Sequence, residues 1–228
     1  MSEYLEYYLS FNLDGSRDYQ ATMVDKIIEQ HFNFDYVECI ETGVSSGNYD
    51  DFITYLGKLC ELKGGVYHSV DNNEDKVKQA IKNINKKLPN LNFKVWLDDS
   101  VNYLKNYVGK PNIVLLDSYD FDPTNPFMSM LHHYNEFLEI KDKMPIGSLI
   151  IVDDNYMKDS IIYYNLLYNG ELKDTIVYNV TYELYGKGTL IYEAIKENKF
   201  PEWELISKDY HIPGVNLKLV LKKKDGRF

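Results

Sequence analysis

The sequence predicts a single α/β domain built around a mostly parallel β-sheet, with helices on both faces. Short apolar runs alternate with amphipathic helical stretches five times, roughly 25 to 35 residues apart, which is typical of right-handed βαβ units. Two later strand-like segments, 203–210 and 216–221, are joined across Ile212-Pro213-Gly214, a connection short enough for an antiparallel hairpin. A chain of 228 residues with 44% hydrophobic residues can bury one large core.

Predicted strands and helices follow one another along the chain. The strands are the apolar runs 37–40, 65–70, 92–97, 112–116 and 147–152. The helices are 19–30, 52–60, 73–88, 101–107 and 126–140. The run 112–116 is apolar throughout, which predicts a central strand buried on both faces. Residues 157–169 are interpreted as a further helix, and 175–195 fits either a strand or a helix around a Gly186-Lys187-Gly188 turn.

We expect one domain, 1–228, because no internal repeat and no low-complexity linker interrupts the chain. It divides into an N-terminal helical cover, a core, an insertion and a C-terminal hairpin. These parts are residues 1–35, 36–155, 156–200 and 201–228.

Composition argues against two classes of partner. The net charge of −10 argues against nucleic acid, because phosphate binding needs a basic surface. No apolar run approaches the ~20 residues of a membrane helix, and the N-terminus lacks the features of a signal peptide. Cys39 and Cys60 fall in predicted buried elements, so we expect free thiols and a cytoplasmic protein.

The loop after the first strand contains almost no side-chain bulk. It runs from Glu41 through Gly43 and Ser45 to Gly47 and leads into a helix. A small-residue turn at a helix N-terminus lets the backbone approach a nucleotide, although any tight βα turn also favours glycine. Glu41 would repel a pyrophosphate, so it suits a ligand that carries a positive amino group.

Every predicted parallel strand ends in acidic or small polar residues. These are Glu41 with Gly43, Asp71, Asp98-Asp99-Ser100, Asp117 and Asp153-Asp154-Asn155. The carboxyl ends of parallel strands share one edge, where open α/β sheets bind ligands. Asp71, at the end of the second strand, stands where a ribose diol is held, and its structural alternative is a helix N-cap.

The segment Glu41-Thr42-Gly43-Val44-Ser45-Ser46-Gly47 resembles the first motif of class I S-adenosylmethionine-dependent methyltransferases, E-x-G-x-G-x-G, with Ser45 in place of the central glycine. This resemblance implies a Rossmann-like, seven-stranded methyltransferase sheet, mostly parallel with a C-terminal antiparallel hairpin. It also implies that S-adenosyl-L-methionine is bound by residues of the core 36–155. Those residues are Glu41, Gly43, Ser45, Gly47, Asp71, Asp99, Ser100 and Asp117.

Within that class the chain is most similar to the metal-dependent small-molecule O-methyltransferases of the catechol and macrocin type. The resemblance implies Mg²⁺ held by Asp117, Asp154 and Asn155, with Asp153 as the other candidate; carboxylate and amide oxygens suit a hard cation. It implies catalytic roles for Asp117 and for Asp120, which stands where the catechol-type enzymes carry a lysine base. The stretch Asp120-Phe121-Asp122-Pro123 is equally compatible with a simple turn.

The expected function is O-methylation of a small-molecule hydroxyl, with 156–200 forming part of the acceptor pocket or a homodimer contact. One alternative is a ligand-binding protein that keeps the fold without turnover, since the usual lysine base is missing. Another is a nicotinamide-dependent oxidoreductase, which Glu41, the hairpin and the absence of G-x-G-x-x-G disfavour. His132 and His133, with Glu136 one turn on, are interpreted as helix-packing residues, with acid/base catalysis as the alternative.

Overall fold

A parallel sheet between two helical layers organises the fold of the computed structural model, which describes residues 1–10, 18–44, 52–168, 171–207 and 216–225. The helices are α1 (Glu3–Leu9), α2 (Asp18–His31), α3 (Phe52–Leu62), α4 (Glu74–Lys87), α5 (Ser100–Asn106), α6 (Pro126–Ile140) and α7 (Thr189–Lys196). The strands are β1 (Glu38–Thr42), β2 (Val66–Asp71), β3 (Phe93–Leu97), β4 (Ile113–Leu116), β5 (Leu149–Met157), β6 (Ile161–Tyr168), β7 (Glu171–Asn179), β8 (Leu184–Gly186), β9 (Trp203–Leu205) and β10 (Leu217–Lys223).

The main sheet has the order β3-β2-β1-β4-β5-β10-β9, and β8 adds to the far end of β5. Strands β1 to β5 pair in parallel, whereas β10 runs antiparallel to both β5 and β9. The predicted fold class is therefore confirmed, including the terminal hairpin. The described residues give this sheet eight strands rather than seven, because β8 pairs with the extension of β5.

The order of the sheet reverses between β1 and β4, which lie side by side although β2 and β3 separate them in sequence. Crossovers on opposite faces diverge at such a point and leave a crevice at the carboxyl ends of the strands. Strand β4 is fully buried, as its unbroken apolar sequence predicts. One face of the sheet packs against α1, α2 and α3, and the other against α6 and α7.

Over its described residues, 157–168, the helix predicted for 157–169 does not form. Strand β5 continues to Met157, and 161–168 forms β6, which pairs antiparallel with β7 in a two-stranded sheet of its own. The sequence from Ile161 to Tyr164 is two isoleucines and two tyrosines, types that favour strands over helices. Cross-strand pairs such as Tyr163 with Val177 replace the helical contacts that the sequence alone suggested.

In the described part of the chain, no helix combines the length and the apolar character needed to cross a membrane.

Candidate active site

A pocket opens at the switch point between β1 and β4. It is lined by Gly43, Val70, Asp71, Asn72, Asp99, Ser100, Ser118, Tyr119 and His132. Four of the residues predicted to bind the cofactor thus meet here from three different strand ends: Gly43, Asp71, Asp99 and Ser100. The loops after β1, β2 and β3 are brought together because their strands are parallel neighbours.

Gly43 lets the loop after β1 lie directly against the backbone that follows β4. Its φ is +79°, and a Cβ at this position would stand 2.5 Å from the Asp117 carbonyl oxygen and 2.7 Å from the Ser118 Cα. Its N–H donates to the Val70 carbonyl at 2.8 Å, which fixes the turn against β2. Both the positive φ and the close approach require glycine.

Asp71 ties the end of β2 to the loop after β1. Its Oδ2 accepts from the Val44 N–H at 2.9 Å and its Oδ1 from the Asn73 N–H at 2.7 Å. The N-cap of α4 is Asn73, whose side chain accepts from the N–H groups of the first turn, so Asp71 is not the cap that its alternative interpretation assumed. Asp71 is buried and lines the pocket, and its carboxylate has lone pairs that can accept further hydrogen bonds.

Asp99 and Ser100 occupy the start of α5. The exposed Asp99 caps this helix, its Oδ1 accepting from the Asn102 N–H at 2.9 Å. Ser100 is buried, and its Oγ lies 2.9 Å from His132 Nε2, which links α5 to α6 across the pocket. One exposed carboxylate and one fixed hydroxyl therefore reach the pocket from the same turn.

A buried histidine–carboxylate cluster on α6 supports the pocket and was not predicted as part of it. Glu136 is fully buried, and its Oε1 accepts from Ser118 Oγ at 2.7 Å and lies 3.6 Å from His132 Nε2. Burial lowers the pKa of His132, but the Glu136 carboxylate outweighs burial, so the net shift is upward. Burial lowers the pKa of His133, behind it, to about 4. The i, i+4 spacing of His132 and Glu136 was the sequence signal that could have predicted their contact, because residues four apart on a helix are neighbours.

The Tyr119 ring adds an aromatic wall to this pocket. It is partly exposed and lies 5.4 Å from the His132 ring between centroids. Two rings in this arrangement can stack with a planar ligand.

Glu41 does not join the pocket in the described structure. Its carboxylate is fully buried, and Oε2 accepts from Ser69 Oγ at 3.1 Å within the sheet. Side chains alternate along a strand, so Glu41 shares the face of Cys39, which packs against the α1–α3 layer. The predicted cofactor residues Ser45 and Gly47 lie outside the described residues.

Two buried lysines lie among the predicted metal ligands. Asp117 follows β4, whereas Asp153 and Asp154 lie within β5, which continues to Met157, and not after its end as predicted. Lys187, from the turn between β8 and α7, contacts Asp117 Oδ1 and lies 3.0 Å from Asp154 Oδ2. Lys218, from β10, lies 2.6 Å from Asp153. Both lysine side chains are 1% exposed, so each ammonium is enclosed with its carboxylates.

The charges at this edge perturb one another strongly. Burial, followed by the Asp153 carboxylate, raises the pKa of Asp117 to about 7, against the opposing effect of Lys187. Burial lowers the pKa of Lys187, but Asp117 and Asp154 reverse this and raise it above its ordinary value. Burial raises the pKa of Asp153 and Lys218 more than offsets it, so the net shift is downward. Lys187 is therefore a cation at every physiological pH.

The residues at this edge do not fit the predicted Mg²⁺. Asp117 and Asp154 already face an ammonium, and the buried Asn155 Oδ1 accepts from the Gly188 N–H at 2.7 Å. Throughout the described ranges, no three His, Cys, Asp or Glu side chains come together as a metal site would require. The magnesium prediction thus gains no support, because a lysine that sequence reasoning missed takes up two of the predicted ligands. Asp120, the other predicted catalytic residue, is exposed and outside the residues that line the pocket.

Solved structures of bacterial proteins resemble this fold. A Clostridium thermocellum protein whose name suggests an rRNA methylase superposes with a TM-score of 0.55 and 12% identity, over 90% of this chain and 96% of its own. SMU.1697c of Streptococcus mutans, solved in complex with SAH, superposes with a TM-score of 0.54 and 11% sequence identity. The match covers 90% of this chain and 97% of the S. mutans chain. An rRNA methylase from Streptococcus thermophilus superposes with a TM-score of 0.53 and 11% sequence identity. The match covers 90% of this chain and 97% of the S. thermophilus chain. No protein-family model and no curated protein sequence matches the chain. At this identity the likeness shows a methyltransferase-type fold.

Proposed function

We propose that this chain is an S-adenosylmethionine-dependent methyltransferase that acts on a hydroxyl of a small molecule. The observation that carries the proposal is the convergence of Gly43, Asp71, Asp99 and Ser100 on one pocket at the switch point of the sheet. The resemblance assigned these residues to the cofactor from sequence alone. Parallel neighbouring strands bring the three loops together, and the residues that those loops place in the pocket are the ones assigned to the cofactor.

The lining of the pocket fits an adenosyl group. Asp71 offers carboxylate lone pairs to a ribose diol, and the exposed Asp99 can accept from an amino group. The rings of Tyr119 and His132 can stack with a purine. S-adenosylmethionine would supply an electrophilic methyl group when bound, and SAH is the ligand of the Streptococcus mutans neighbour.

Asp117 is the proposed general base. Its backbone touches Gly43 at the pocket, and its side chain, 28% exposed, stands at the end of β4. A carboxylate whose pKa lies near 7 can accept the proton of an acceptor hydroxyl at neutral pH and return to its anionic form afterwards. The net charge of −10 favours a small acceptor over a polyanionic one.

Calorimetry on the whole chain tests the proposal. We expect saturable binding of S-adenosylhomocysteine and none of NAD. Asp71→Asn should weaken this binding about tenfold to a hundredfold, the cost of a lost hydrogen bond to a charged group. Asp75→Asn is the matched control, because Asp75 is exposed on α4 and outside the residues that line the pocket. Binding of NAD in place of S-adenosylhomocysteine would favour the oxidoreductase alternative, and binding of neither would overturn the proposal.

A further inference from the structure

We propose that the Lys187 ammonium is the permanent cation of this site and occupies the position that the sequence predicted for Mg²⁺. Three carboxylates lie close to the two lysines: Asp117 directly follows β4, and Asp153 and Asp154 lie within β5. So many acidic groups together repel one another unless a cation neutralises them. Lys187 does this for Asp117 and Asp154, while Lys218 does it for Asp153.

The turn that carries Lys187 lies close against β5, and this places the lysine side chain beside the carboxylates. Gly186 has a φ of +153°, and a Cβ there would overlap the Asp154 carbonyl oxygen. A Cβ at Gly188 would stand 2.6 Å from Leu219 Cδ2 and 2.8 Å from Asn155 Oδ1. Glycine at 186 lets the backbone lie this close to β5, and the small residue at 188 leaves room for the Leu219 and Asn155 side chains.

Asn155 anchors the same turn. Its Oδ1 accepts from the Gly188 N–H at 2.7 Å, and its Nδ2 donates to the carbonyls of Val152 and Asp153, each at 2.9 Å. The Lys187 N–H also donates to the Asp154 carbonyl at 3.2 Å. Asn155 is thus a positioning residue for Lys187, in contrast to its predicted role as a metal ligand.

A divalent ion and Lys187 exclude each other at this edge. A metal ion that took the oxygens of Asp117 and Asp154 would leave the ammonium buried without a counter-charge, which is strongly unfavourable. A divalent metal ion can coordinate further oxygens besides those of the protein, whereas an ammonium held by two carboxylates has no open coordination positions. On the basis of the proposed function, the acceptor hydroxyl would therefore be positioned without a metal ion at this edge.

Titration of the whole protein with Mn²⁺, followed by the electron paramagnetic resonance signal of the free ion, tests this role. We expect no saturable binding by the wild type. Lys187→Met keeps an unbranched chain of similar length without the charge, so it should bind Mn²⁺ at least about tenfold more tightly than the wild type. Lys196→Met is the control, because Lys196 pairs with Glu183 on the exposed surface of α7.

Two results would overturn the role of Lys187. One is saturable Mn²⁺ binding by the wild type that Asp117→Asn abolishes; this measurement decides the matter even where Lys187→Met does not fold. The other is a folded Lys187→Met protein that binds no more Mn²⁺ than the wild type. Neither measurement contains a methyl donor, so its outcome is separate from that of the S-adenosylhomocysteine calorimetry that tests the proposed function.

Discussion

Replacing Gly43 with alanine should both destabilise the protein and weaken ligand binding. Two costs combine at this position. A side chain at a φ of +79° costs about 1–2 kcal/mol, and overpacking against backbone costs about 1–3 kcal/mol more. The second cost arises because the new Cβ would stand 2.5 Å from the Asp117 carbonyl oxygen, and backbone on the central strand cannot move aside easily. We expect a loss of roughly 2–5 kcal/mol in the free energy of unfolding.

Gly64 provides the matched control for this substitution. Its φ is +62°, but a Cβ there would meet nothing within 4 Å. Gly64→Ala should therefore show the conformational cost alone, about 1–2 kcal/mol. Urea unfolding of both variants measures the difference, and calorimetry with S-adenosylhomocysteine follows the pocket. Equal losses from the two substitutions would refute the close contact between the loops after β1 and β4.

The α6 cluster makes two further predictions. His133 is buried and its pKa is lowered to about 4, so the unfolded chain binds a proton that the folded state does not, and stability falls as pH drops from 6.5 towards 4. Between pH 7.5 and 4.5 the wild type should lose free energy of unfolding, and His133→Asn should reduce that loss by roughly 2–3 kcal/mol, as measured by urea unfolding. A variant whose free energy of unfolding depends on pH as the wild type's does would contradict this. Glu136→Gln should lower the raised pKa of His132, followed by NMR titration with Glu139→Gln as the control, and an unmoved His132 pKa would show that Glu136 is not its cause.

The strands of the parallel core could be predicted from the sequence because each of them is a separate apolar run. The run 112–116 became the buried central strand, and the acids that follow the second and third strands reached one pocket. Parallel strands force their carboxyl ends together, so residues that are distant in sequence could be grouped without coordinates.

The predicted metal site gained no support because the cation beside the acids comes from a residue distant in sequence. Asp117 and Asp154 have the right chemistry for a cation, but the cation comes from Lys187. That lysine lies beyond an intervening hairpin of two strands, so no spacing rule connects it to the acids. Glu41 shows a second limit, since strand alternation, rather than its place in the motif, decides which face its carboxylate occupies.

Strand β6, Ile161–Tyr168, falls within the segment predicted to be helical. Its paired isoleucines and tyrosines favour strands, yet a hairpin outside the main sheet has no place in a simple βα alternation.

A crystal structure of the protein soaked with S-adenosylhomocysteine tests the central claim most directly. We predict ligand density in the pocket lined by Gly43, Asp71 and Asp99, with the ribose hydroxyls within hydrogen-bonding distance of the Asp71 carboxylate. Density at another surface, or an open and unliganded pocket at a ligand concentration that saturates the protein in calorimetry, would contradict it.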